Sequence, residues 1–289
     1  MKKYGVPYMG SKDRLAERII AALPPADVFV DLFAGGCAMT HCALLSGKYK
    51  RVIANDIDGA GIRLFIDAVN GKYRYEKRWI SREDFFRLKD VDPYVKLCWS
   101  FGNNGITYLY GKEIEPYKKA LHEMCFAGPS ETMSKYRKVL AEKRKLYGVT
   151  QKHIERLQSQ ENLESLNRLE SLNRLDVSFL DYRDVPIPKN AVIYCDIPYE
   201  GKNGYSKARK GSYSYGFDHA AFYDWAAKQS NIFISQYQSP APFVPIREFE
   251  HISLLDNTKN FKVIEKLYSL PKANVLSETK RCTLLEAVA

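Results

Sequence analysis

Four consecutive residues at the end of an apolar run, Asp196-Ile197-Pro198-Tyr199 after AVIYC, bring together a carboxylate, a backbone carbonyl fixed by a following proline and an aromatic ring. A carboxylate and a carbonyl side by side can accept both N–H bonds of a conjugated amine. They then favour a tetrahedral nitrogen and restore the lone pair that the ring withdraws, while a tyrosine stacks on that ring. Read alone the pattern is weak, because a strand ending in an Asp-x-Pro turn is common. Two further acids, Asp31 in VFVDLF and Asp56 in RVIANDID, end other apolar runs. If those runs are neighbouring strands, the acids lie side by side and Asp56 can accept hydrogen bonds from ribose hydroxyls. The plainer alternative is that both acids cap the helices that follow them.

The elements that must hold these residues are legible in the hydrophobic pattern. The first 70 residues read as helix, strand, helix, strand, helix. Ser11 is expected to cap a helix with the apolar stripe Leu15, Ile19, Ile20 and Leu23, ended by Pro24-Pro25. VFVDLF (28–33) and RVIANDID (51–58) are continuous apolar strands, and the glycine turn AGGC between them runs into a helix. The pattern returns with DVSFLDY (176–182), AVIYCDIPY (191–199), a helix over HAAFYDWAAK and a strand in NIFISQY, with closing strands expected from HISLL and KVIEKLYSL. Alternation of this kind predicts an α/β fold with a parallel sheet covered by helices. The three-glycine turn of dinucleotide enzymes, G-x-G-x-x-G, is absent from VDLFAGGC, so phosphate binding is not its obvious purpose.

Between the two halves, residues 71–160 hold 19 Lys or Arg against 11 Asp or Glu and carry most of the net charge of +10. A basic balance on this scale suits a polyanionic partner. Asn104-Gly105, between WSF and ITYLY, is the strongest hairpin signal in the chain. The repeat LESLNR LESLNR reads as a linking helix, since two six-residue copies cannot build a core. We therefore expect a discontinuous domain of residues 1–70 and 176–289, interrupted by an inserted module at 71–175. The six cysteines lack the spacing that zinc requires, and reduced structural thiols and no metal are expected. The absence of an apolar run of about 20 residues and of a signal-like start makes the cytoplasm the expected location.

Taken together, VDLFAGGCAMT, IANDID and YCDIPYEG, with PYMGSKDRL at the start and a basic insertion before YCDIPY, resemble the Dam-like (class alpha) DNA adenine N6-methyltransferases over nearly the whole chain. The resemblance implies a class I, Rossmann-like methyltransferase sheet with an inserted DNA-recognition module. It also implies S-adenosyl-L-methionine as cofactor, double-stranded DNA as partner and N6 of adenine as acceptor. It assigns Tyr8, Lys12, Asp31, Phe33, Ala34, Gly35, Gly36, Asp56, Asp181 and Tyr182 to the cofactor, and Asp196, Ile197, Pro198 and Tyr199 to catalysis. A monomer is expected, with a cognate restriction endonuclease as a conceivable partner.

For DNA contact the resemblance points to the hairpin around Asn103 and Asn104. The family commonly places an aromatic wedge at the position of Asn103, so Phe101 or Tyr108 must take that role if it exists here. Lys143, Arg144 and Lys145, and Lys202, Lys207, Arg209 and Lys210 in the tyrosine-rich stretch after the tetrapeptide, suit phosphate contact. Ile197 stands where the family usually has proline; it keeps the carbonyl and gives up rigidity worth about 0.4–1 kcal/mol. No cysteine follows a proline, which argues against cytosine C5 methylation. A catalytically silent DNA-binding protein of the same fold and a cytosine N4-methyltransferase remain as alternatives.

Overall fold

A computed structural model describes residues 4–126, 172–199, 216–253 and 261–271. Among the described residues seven strands form one sheet, ordered β3-β2-β1-β4-β5-β7-β6. They are β1 (Val28–Asp31), β2 (Arg51–Asn55), β3 (Leu175–Ser178), β4 (Val192–Cys195), β5 (Ile232–Gln236), β6 (Val244–Ser253) and β7 (Phe261–Ser269). The first five in this order run parallel, and β7 and β6 close the sheet as an antiparallel ribbon beside β5. β4 and β5 are buried along their whole length, which is why their sequences lack alternation, although β5 ends in the buried polar residues Ser235 and Gln236. The expected strands, including the two closing ones, are all present; β2 and β4 end directly before Asp56 and Asp196, whereas Asp31 is the last residue of β1.

The helices are α1 (Ala16–Ala22), α2 (Ala38–Ser46), α3 (Ala60–Val69), α4 (Arg82–Leu88), α5 (Pro93–Cys98), α6 (Glu115–Phe126) and α7 (His219–Ala226). Leu15, Ile19, Ile20 and Leu23 are buried as their spacing predicts. Ser11 is not the cap of α1. Its hydroxyl accepts from the Asp13 amide at 3.3 Å, and the helix starts only at Ala16, with no side-chain cap on Leu15. Elsewhere side chains do start the helices: Ser81 accepts from the Asp84 amide before α4, Asp92 from Tyr94 and Val95 before α5, and Asp218 from Ala221 before α7.

Close contacts divide the chain into two units. One comprises Met1–Arg14, Gly35–His41 and Asp58–Asn173; the other comprises Leu15–Ala34, Cys42–Ile57 and Arg174–Ala289. The second unit contains the entire sheet. On one face of the sheet Val30, Leu32, Ile193, Cys195, Ile197 and Ile234 pack with Phe222 and Ala226 of α7. The opposite face holds Phe29, whose ring lies 5.0 Å from Tyr49 and 6.3 Å from Tyr194.

In the first unit, Trp79, Trp99, Tyr110 and His122 build an aromatic core, with Trp79 stacked on Tyr110 at 5.8 Å and edge-on to Trp99 at 5.2 Å. The chain reverses at the Asn104-Gly105 signal, but through a loop wider than a two-residue turn. Ser100 and Tyr108 form an antiparallel bridge, and Phe101 donates to the Thr107 carbonyl at 2.8 Å. The Asn104 side chain organises the return, accepting from the amides of Ile106 and Thr107 at 2.9 and 3.0 Å. Of the LESLNR repeat only residues 172–174 are described, and they form a turn leading into β3 and not the expected linking helix; the rest lies outside the described residues. No helix among the described residues is long and apolar enough to cross a membrane.

Candidate active site

The tetrapeptide follows directly from β4, and each of its last three residues is held by a tertiary contact within the sheet unit. Ile197 is 1% exposed and belongs to the core against α7. The Pro198 carbonyl accepts from Nε2 of His219 at 2.7 Å, which requires the proton to reside on that nitrogen. The Tyr199 hydroxyl donates to Oε1 of Glu265 at 2.6 Å, and its ring lies 4.6 Å from that of Tyr237 at an interplanar angle of 34°. Burial, then the negative charges of Asp196 and Glu265, push the Tyr199 phenol far above the ordinary tyrosine range, so it remains a hydrogen-bond donor.

Asp196 itself is half-buried at the end of β4. Beside it, burial and then the charges of Asp31 and Asp196 raise the Cys195 thiol well above its ordinary value. This cysteine is therefore a neutral core residue and not a nucleophile. Asp31 and Asp196 both bear on it because β1 and β4 are adjacent, with Asp31 level with Tyr194.

Around the carboxyl ends of β1, β2 and β3 a single buried amide ties the backbone together. Asn55 donates from Nδ2 to the carbonyls of Leu32 and Leu180 at 3.2 and 3.0 Å, and its Oδ1 accepts from Ser178 Oγ and the Leu180 amide at 2.7 and 3.0 Å. All four capacities of the carboxamide are thus used. The next residue is Asp56. Its neighbour in the sheet is not Asp31, which pairs with Ala54; the two acids are offset by two residues. Asp31 is buried, whereas Asp56 is half-buried. Asp56 does not cap the helix after it, because Gly59 occupies the cap of α3 without a side-chain bond.

The Phe33 ring lies 5.7 Å from Tyr182, and both join Phe217, Phe222 and Trp225 in an aromatic cluster. Ala34 is buried, its amide donating to the Asn55 carbonyl at 2.8 Å. Asp181 is committed to local bonds. Its carboxylate accepts from Nε and Nη2 of Arg183, and this hydrogen bonding lowers its pKa below the usual value. Ile57, Phe179 and Leu180, which sequence reasoning passed over, follow the ends of β2 and β3 as exposed apolar side chains.

In the first unit, Tyr8 packs on the glycine turn. A Cβ on Gly36 would come within 2.5 Å of the Tyr8 Cβ and 2.8 Å of the Val6 carbonyl, and Gly35 adopts φ +47°. The glycines of AGGC are required by this close approach of the N-terminal segment, and Val6 donates to the Gly36 carbonyl at 2.8 Å. Lys12 is buried. In the loop that carries the hairpin signal, Phe101 is 48% exposed. Tyr108 is buried there, its hydroxyl donating to the Ile80 carbonyl at 2.7 Å, so it is not available as a wedge. Asn103 is half-buried and donates to the Leu97 carbonyl at 2.9 Å. Lys143, Arg144, Lys145, Lys202, Lys207, Arg209 and Lys210 lie outside the described residues.

A mainly parallel sheet with its acids at the carboxyl strand ends, and an Asp-Ile-Pro-Tyr turn leaving the central strand, defines a class I methyltransferase fold. The profile of the D12 class N6 adenine-specific DNA methyltransferases matches residues 8–221. The chain belongs to that family, and it is an enzyme that methylates adenine at N6 in DNA. No curated protein matches it.

Proposed function

We propose that the sheet unit performs the transfer with Asp196 and the Ile197 carbonyl as paired acceptors for the adenine N6 amine, and with Tyr199 stacked on the extruded base. The observation that carries this reading is the immobilisation of the turn: Ile197 is anchored in the core, Pro198 through His219 and Tyr199 through Glu265. Such anchoring supplies the preorganisation that a transition-state hydrogen bond needs. As the amine nitrogen forms its bond to carbon, both acceptors strengthen their hold on its N–H bonds, and the surplus proton passes from that nitrogen to the Asp196 carboxylate and on to solvent water.

S-adenosyl-L-methionine, when bound, supplies the methyl carbon on a sulfonium that leaves as a neutral thioether. The residues present suit it. Asp56 offers a half-buried acceptor for ribose hydroxyls, and exposed Ile57, Phe179 and Leu180 offer apolar surface for a purine ring. The other residues that the resemblance assigns to the cofactor, Tyr8, Lys12, Asp31, Phe33, Ala34, Gly35 and Gly36, keep that assignment in this proposal. Because Arg183 already occupies Asp181, we give that acid a structural part, capping the turn that presents Tyr182. For the duplex we propose residues 71–175 as the recognition module, with Phe101 as the aromatic that enters the base stack.

The test is Asp196→Ala. Single-turnover transfer from labelled cofactor to unmethylated mixed-sequence duplex DNA should fall at least about 100-fold, with cofactor affinity little changed. A rate close to wild type would remove Asp196 from the mechanism.

A further inference from the structure

We propose that Glu265 is a positioning residue for the methyl transfer, acting through the Tyr199 hydroxyl to fix the plane on which the target base stacks. The inference rests on the functional reading above, in which Tyr199 faces the base. Glu265 lies on β7, beyond the residues matched by the family profile. It is 1% exposed, and Leu267, two residues on along the same strand, is also fully buried. A buried carboxylate is costly to desolvate, and the Tyr199 hydroxyl is among the groups that meet this one, a contact that a leucine could not make.

The geometry is specific. The 2.6 Å bond from the Tyr199 hydroxyl to Oε1 fixes the far end of the ring, and Tyr237 lies against it with centroids 4.6 Å apart. Tyr237 follows β5, and β5 pairs with β7 from Phe233↔Ser269 to Gln236↔Lys266, so the two supports of the ring come from adjacent strands. The near end of the ring is set by the backbone, where His219 holds the preceding carbonyl. A tyrosine free to rotate about its χ angles would present its face to the base only part of the time, which lowers the rate without removing any group that touches the reacting atoms.

The experiment compares Glu265→Leu, Glu265→Gln, Tyr199→Phe and the double variant Y199F/E265L in single-turnover transfer to unmethylated mixed-sequence duplex DNA, at saturating cofactor and DNA. Glu265→Leu and Tyr199→Phe should each slow transfer about tenfold, and the double variant should lose about the same tenfold, not a hundredfold, because both remove one interaction. Glu265→Gln keeps an acceptor oxygen and should stay within about threefold of wild type. The half-saturating DNA concentration should move little in all four.

A fluorine resonance from 3-fluorotyrosine at position 199 reports the phenol without turnover; it should shift in Glu265→Leu and far less in Glu265→Gln. It also decides the matter if wild type transfers no methyl group, an outcome that would defeat the functional reading and leave the contact itself to be judged. If Glu265→Leu does not fold, Tyr199→Phe and Glu265→Gln carry the test, and wild-type rate in Tyr199→Phe overturns the proposal. Multiplying losses in the double variant, an unshifted fluorine resonance, or a loss confined to DNA affinity would each overturn it as well.

Discussion

At the scale of single residues, the substitution of isoleucine within the Asp-Ile-Pro-Tyr tetrapeptide has a physical counterpart in the fold. Ile197 is a core side chain packed with α7 and the central strands, while the turn's rigidity comes from tertiary contacts at Pro198 and Tyr199. Replacing it by proline stiffens the backbone but withdraws buried methyl groups. The buried-volume loss outweighs the entropic gain of at most about 1 kcal/mol, so Ile197→Pro should destabilise the protein by about 1–3 kcal/mol. Transfer should remain within about tenfold of wild type, because the carbonyl is retained. Urea denaturation and single-turnover rates on the same preparations check both halves; a stabilised variant would show that the side chain contributes little packing. The motif could be read in sequence because its residues are contiguous. The partners that fix it could not: Glu265 is 66 residues away from Tyr199 and His219 is 21 from Pro198.

At the scale of elements, the N-terminal segment is latched by a histidine on α2. Nδ1 of His41 accepts from the Gly5 amide at 3.1 Å, and its ring meets Tyr4 edge-on at 5.4 Å. Burial lowers the His41 pKa to about 4 from its ordinary 6.5. A neutral ring is what this bond needs, since a proton on Nδ1 would face the Gly5 N–H. The unfolded chain binds the proton first, so the contribution is complete above the unfolded pKa of about 6.5 and is lost as pH falls toward 4. Between pH 7 and pH 5 this group should cost about 2 kcal/mol of stability. His41→Asn, whose amide oxygen can still accept, should show a shallower loss in urea denaturation over the same interval. An identical pH dependence in both proteins would mean that His41 titrates normally in the fold. In the sequence this histidine is one polar residue in THCALL and carries no signal of the latch.

At the scale of the whole molecule, the charge of +10 predicts DNA binding that weakens linearly in log affinity against log salt. Replacing Lys143, Arg144 and Lys145 with alanine should flatten that slope by up to about 3 if all three meet phosphates, as filter binding at several salt concentrations would measure. An unchanged slope would place them on a solvated face. The sequence by itself determined the inner parallel strands β1, β2, β4 and β5, because strands buried on both faces read as largely apolar runs, and it determined the order of the acids at or just beyond the ends of β1, β2 and β4. The chemistry proposed for Asp196-Ile197-Pro198-Tyr199 is likewise legible there, because its residues are contiguous in the chain. Only the tertiary structure decided that Tyr108 is buried and Phe101 exposed, that Asn55 ties three strand ends through four hydrogen bonds, and that a buried glutamate from the last strand grips Tyr199. Local periodicity records which side of an element faces inward. It does not record which distant side chain arrives there, because that depends on strand order and register, which bring together residues far apart in the chain.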